Sequence, residues 1–252
     1  MTLPLSHSES EFNKNVDDVP KSLGAIEDDV NSCLDAYNNK GWWGEFTMWF
    51  AGVLDQVEDA LALLVQGLAE LGKIMLELAS PGNPFAMLLQ ADGWIQVKNI
   101  LSGQTGEFNG NLFPATRTWT GEAGWQYANV ISAQSAAVGG IFPQAGNLGQ
   151  HLYDHAVQVI NGWCTIGDSM VKYTTTMAKD VGAFLTLDPT DWLGIIKEIV
   201  ILVADIVQFI ADMIIELREY GQTTVDQMFG LHNGMADASG SRGGLWPPAD
   251  FA

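Results

Sequence analysis

The sequence predicts an all-α fold, an elongated helical bundle. Two observations carry that expectation. Long stretches repeat their apolar residues every three or four positions, as helices with one buried face do. The period-two alternation and tight-turn signals of strand ladders are missing. With 252 residues, 47% of them hydrophobic, the chain is long enough to bury a substantial core.

The elements follow in order. Residues 1–20 are polar and are read as a flexible N-terminus. A helix over about 21–38 places Leu23, Ile26, Val30, Cys33 and Leu34 at helical spacing, and Asn38, Asn39 and Gly41 end it. Next comes "GWWGEFTMWF" and a helical pattern to about residue 79. Val53, Leu54, Val57, Leu61, Leu64, Val65, Leu68 and Leu71 form its apolar face, and Asp55, Asp59, Gln66, Glu70, Lys73 and Glu77 follow a narrow polar stripe. "SPGNP" at 80–84 breaks it. A weaker helix is expected over 85–103, then a Gly- and Asn-rich loop.

A helix resumes at Glu122, and Gly139, Gly140 and Pro143 are expected to interrupt or kink it. From Leu148 the pattern is cleanest. Leu152, His155, Val159, Trp163, Ile166, Met170, Tyr173, Met177, Val181 and Phe184 follow by threes and fours, a seam for another helix. "LDPTDW" ends one helix and starts the next, with Asp188 or Thr190 able to cap it and Pro189 suited to its first turn. The last long helix is expected over 192–219. From Gly230 a Gly/Pro-rich tail is read as flexible. The domain organisation is therefore one bundle over 21–229 between two flexible ends.

The charge excludes some functions. There are 11 Lys and Arg against 30 Asp and Glu, a formal net charge of −19. A nucleic-acid partner is not expected, because binding one needs clustered cations. Simple electrostatic docking on an anionic membrane is excluded for the same reason. The first 20 residues lack a basic and an apolar signal region, so the expectation is a cytoplasmic protein or one exported by a route that reads no conventional signal peptide.

The 192–219 helix is too interrupted for a single membrane span. Glu198, Asp205, Asp212 and Glu219 recur every seven residues on one face, and carboxylates at bilayer depth cost a few kcal/mol each. The plainer reading is a bundle helix with a solvated acidic stripe. The sharper one is an amphipathic wall, several copies turning their apolar faces to lipid and their acidic stripes to a water-filled lumen; a third is an interface with a partner helix. Trp42, Trp43, Phe46, Trp49 and Phe50 pose the same choice. They either anchor a helix start in the core or offer a membrane or partner face.

No catalytic residue, metal site or cofactor is expected. His151, Asp154 and His155 are the one metal-like cluster, with the histidines on one helical face. No third ligand is evident, and His155 also belongs to the apolar seam. The Gly-rich "GGIFPQAG" does not follow a strand, so it is no phosphate cradle. Cys33 and Cys164 are read as two free, buried thiols, although one bridge between them is open.

"TRTWTGEAGWQY" (116–127) is the feature that suggests a pathway. Gly121 can adopt a conformation closed to other residues and reverse the chain. Thr120 is a candidate N-cap. Trp119 is expected to lie across two helices and close their end, or to be presented for docking. With Glu122, Ala123 and Tyr127 opening the next helix, the stretch resembles the WxG helical hairpins exported by actinobacterial type VII (ESX) secretion systems. The larger layout resembles the longer secretion-associated proteins of that kind. The resemblance covers about 85–185. It implies an antiparallel hairpin with additional long apolar helices, and a non-enzymatic substrate or secretion-associated protein. It also implies assembly with itself or a small helical co-secreted partner, contact with the secretion machinery, and a secreted or cell-surface location. The family's export signal, Tyr followed four residues later by an acid, has no match. Met177 follows Tyr173 at that spacing, and Thr224 follows Tyr220. The alternative expectation is a membrane-active or pore-forming helical protein.

Overall fold

A reciprocal cap starts the first helix. The Ser8 hydroxyl accepts from the Glu11 backbone N–H at 3.2 Å, and a Glu11 carboxylate oxygen accepts from the Ser8 N–H at 2.7 Å. This satisfies two amides that every helix start leaves open. The carboxyl of Glu11 is held below its ordinary range by the bonds it accepts from the Ser8 N–H and the Ser8 hydroxyl. The chain is described here by a computed structural model, which covers residues 5–39, 65–73, 81–107, 118–186 and 192–236, with isolated positions between 59 and 75. All regular structure among them is helical: α1 (Glu9–Asn39), α2 (Pro84–Glu107), α3 (Glu122–Leu185), α4 (Trp192–Ala236) and a helical stretch at 65–73.

α1 begins well before the expected residue 21. The cap explains where it starts, and Phe12 and Val19, both 3% exposed, explain why it persists. A polar composition hid two buried anchors seven residues apart. Asn83 caps α2, its side-chain oxygen accepting from the Ala86 N–H at 2.9 Å. Pro84 then occupies the first helical position, which lacks an amide partner anyway.

α3 is continuous through Gly139, Gly140 and Pro143, where an interruption or a kink was expected. Pro143 lies inside it. The ring is on the exposed side, while Ala137, Val138 and Ala145 around it are buried. The lost backbone hydrogen bond therefore falls on the solvated side, and packing holds the segment helical. α4 runs on to Ala236, past the expected end at 219. Its last turns have partners: His155 Nδ1 lies 3.1 Å from Gln227 Oε1, and the His151 ring approaches Gly230 closely.

The chain divides into two compact units. The first comprises 1–82 and 160–222, the second 83–159 and 223–252. In the first unit, α1, the 65–73 stretch and parts of α3 and α4 share a core. Ile26, Leu71, Ile160, Met170, Met177, Ile206 and Met213 are its largest fully buried side chains. Trp163, Ile166 and Val181 of the expected seam are buried as well. A second row on α3, Ile160, Cys164 and Gly167, is also buried, because α3 is packed from two sides. Gly167 receives Asn15 of α1, and Gly162 receives Tyr220 of α4. α3 and α4 run antiparallel there: Gly162 meets Tyr220, and further along α3 Tyr173 stacks flat on the earlier Phe209 of α4, at 3.7 Å between ring centroids.

In the second unit, α2 passes α3 in the opposite direction. Ala91 and Ile95 approach Gly149, while Lys98 approaches Gly146. α2 carries apolar residues on more than one side, and Leu89 (77%) and Ile100 (60%) stay exposed. Cys164 is a free, buried thiol; the Cys33 side chain lies outside the described residues. Burial pushes the Cys164 thiol above its ordinary range, partly offset by a hydrogen bond from Asn15.

The glycine contacts predict opposite signs for one substitution. A Cβ at Gly167 would stand 2.6 Å from the Asn15 Cβ, which the α1 backbone fixes. Gly167→Ala should cost about 1–3 kcal/mol through overpacking. Gly182 has nothing within 4 Å, so Gly182→Ala should stabilise by up to about 1 kcal/mol through helix propensity. Thermal melting of both variants checks the pair.

Candidate functional site

In the first unit a groove of about 330 Å³ lies between α3 and α4. α3 contributes Ser169, Lys172, Tyr173, Thr176, Met177 and Asp180, and α4 contributes Leu202, Asp205, Phe209, Asp212, Met213 and Glu216. The stacked Tyr173 and Phe209 rings lie in its lining, along with four carboxylates and one ammonium. Helical spacing produces this arrangement. Asp205, Asp212 and Glu216 sit one or two turns apart on the flank of α4, beside buried Leu202, Ile206 and Met213.

The groove's electrostatics favour protons and cations. Burial raises the Glu216 carboxyl, and the charges of Asp212 and Glu219 add to it. Its Oε2 is enclosed without a hydrogen-bond partner. Burial also raises the Tyr173 phenol, followed by the charges of Asp205 and Asp180. Asp212 accepts a hydrogen bond from Gln208 at 2.8 Å. The site therefore suits binding of a cationic or amphipathic group.

Of the expected acidic stripe, Asp205, Asp212 and Glu219 are exposed and Glu198 is partly buried. Only Asp205 and Asp212 line the groove. Asp180, Glu216 and the Tyr173–Phe209 stack are additional members. Tyr173 lay on the expected seam, but its pairing requires the register of two helices. Trp42, Trp43, Trp49 and Phe50 lie outside the described residues.

At the start of α3, two glycines have distinct duties. Gly121 has φ +88°, in the left-handed region that disfavours side chains. It also takes the capping position: its carbonyl accepts the Trp125 N–H at 3.2 Å. Thr120 is therefore not the cap. Gly124 makes room for the chain itself, since a Cβ there would stand 2.5 Å from the Trp119 carbonyl oxygen. The Trp119 ring leans on Tyr127 at 5.4 Å, tilted by 52°. Trp119 remains 56% exposed and Trp125 68%.

The metal-like trio does not converge. His155 faces Gln227, and Asp154 accepts from Gln150 at 2.8 Å. Among the described residues, no three His, Cys, Asp or Glu side chains are grouped to hold a metal. No described helix is long and apolar enough to cross a membrane. Compared with family models, curated proteins and solved structures, the chain matches none.

Two outcomes test this geometry. Because the folded Glu216 carboxyl lies above its ordinary value of 4.5, the folded state prefers it protonated. Its favourable contribution is complete below the unfolded value and is lost as pH rises through the folded one. Glu216→Gln should therefore raise the melting temperature at pH 7, with the gain vanishing in acid below the ordinary carboxyl range. At the corner, Gly121→Val should cost about 1–3 kcal/mol through backbone strain alone, since nothing lies within 4 Å of a Cβ there. An unchanged melting point would refute the strain.

Proposed function

We propose that the protein is a non-enzymatic, helical type VII secretion substrate or secretion-associated protein, acting by helix-on-helix assembly with itself or a small helical partner. The carrying observation is the Trp119–Gly121 corner. Its backbone is fixed by a positive-φ glycine and by the close approach at Gly124, while the indole stays more than half exposed. A Trp used only for packing would be enclosed. A rigidly mounted, exposed one suits docking, because large amphipathic rings give much contact area for little lost freedom. The opposite directions of α2 and α3 at Gly146 and Gly149 support a hairpin around this corner. On this reading the protein is cytoplasmic before export and then secreted or surface-bound.

A second reading is membrane activity. It is favoured by exposed Val200, Val207 and Ile215 on α4, beside carboxylates with an eased protonation at Glu216. Acid would then lower the cost of lipid contact.

In a host with a working type VII system, the chain should accumulate in the medium. Trp119→Ala should retain it in cells without changing its melting temperature. If deleting the system's ATPase leaves the distribution unchanged, the export reading is wrong. Dye release from liposomes at acidic but not neutral pH would favour the second reading; no release at either pH removes it.

A further inference from the structure

Between Lys197 and Arg218, α4 has three faces. One enters the core through Leu202, Ile206, Ile210 and Met213, and one carries Asp205 and Asp212 over the groove. The third is a row of Val200, Ala204, Val207, Ala211 and Ile215, all exposed. Its branched members are 51%, 40% and 55% exposed. The residues recur every three or four positions, as in a helix–helix seam, and the alanines leave hollows for larger side chains.

Charge decides what fits there. Between those two bounds every charged residue of α4 is acidic: Glu198, Asp205, Asp212 and Glu216. A second copy laid antiparallel along the row would bring its own acids to the same side, and an anionic bilayer would also be repelled. We propose that the row is the docking surface for a cationic amphipathic helix of a partner protein. Its apolar side chains enter the row, and its Lys or Arg residues reach Asp205 and Asp212. A partner helix of about 30 Å spans the row from Lys197 to Arg218. The proposal rests on the helix-assembly reading above but not on the export route.

The test uses the full chain at physiological salt, titrated calorimetrically. The probe is a synthetic five-turn peptide of Leu, Ala and Lys, with apolar residues at heptad spacing and Lys along one flank. Its analogue with Glu in place of Lys is the control. Saturable binding of the cationic peptide alone is expected. Val207→Lys should weaken it at least about tenfold, equivalent to about 1.4 kcal/mol, with helicity unchanged. Asp205→Asn with Asp212→Asn should weaken it and flatten its salt dependence. Asp17→Asn with Glu27→Gln removes equal charge from exposed sites on α1 and should change nothing. Binding that ignores Val207→Lys, or that the α1 variant weakens as much, overturns the proposal. So does a dimer in light scattering that Val207→Lys abolishes, or vesicle binding lost in that variant while the peptide fails to bind. Peptide binding without export sinks only the route, and export without peptide binding sinks only this surface.

Discussion

The stacking of Tyr173 on Phe209 sets the separation of α3 and α4, and much of the first unit depends on it. The rings lie flat, 1° from parallel, so the two helices cannot close further at that level. Elsewhere along the pair, close approach depends on a missing side chain: Gly162 takes the Tyr220 ring. The groove is what remains where aromatic bulk holds the helices apart and no larger side chain fills the gap. Its acids stand on the flanks because the adjacent positions are committed to the core.

That arrangement also explains how an acidic chain tolerates such apolar helices. The two long ones contribute core methionines and isoleucines on one side and carboxylates on the other. The ion pairs of Lys14 and Lys21 with Asp18 lie at the surface of α1, where solvent screening leaves them little weight. Cohesion comes from burial, and solubility from unneutralised charge.

Helical class was legible in the sequence because each long helix repeats its apolar residues at its own period. The α3 seam was legible for the same reason, and its described members are buried or partly buried. The start of α1 was written in Ser8 and Glu11, but surrounding polarity outweighed a four-residue signal. What was not legible depends on pairs distant in the chain. Gly167 reads as a helix weakener until Asn15 is placed against it, and Phe209 reads as one more apolar residue until Tyr173 covers it. That the helix continues through Pro143 was not legible, because a proline's effect depends on which side of the helix faces solvent. The positive φ of Gly121 could be anticipated from residue type; the need for Gly124 could not, as it comes from the path of the Trp119 carbonyl.

The order in which the two units draw on the chain has a consequence for biosynthesis. Each is assembled from separated segments, and each takes a portion of α4. During translation, the early helices therefore wait with unpaired apolar faces until the last long helix leaves the ribosome. A chain of this layout spends its synthesis exposed to aggregation and to holdase chaperones, and no single proteolytic cut or truncation releases either unit whole.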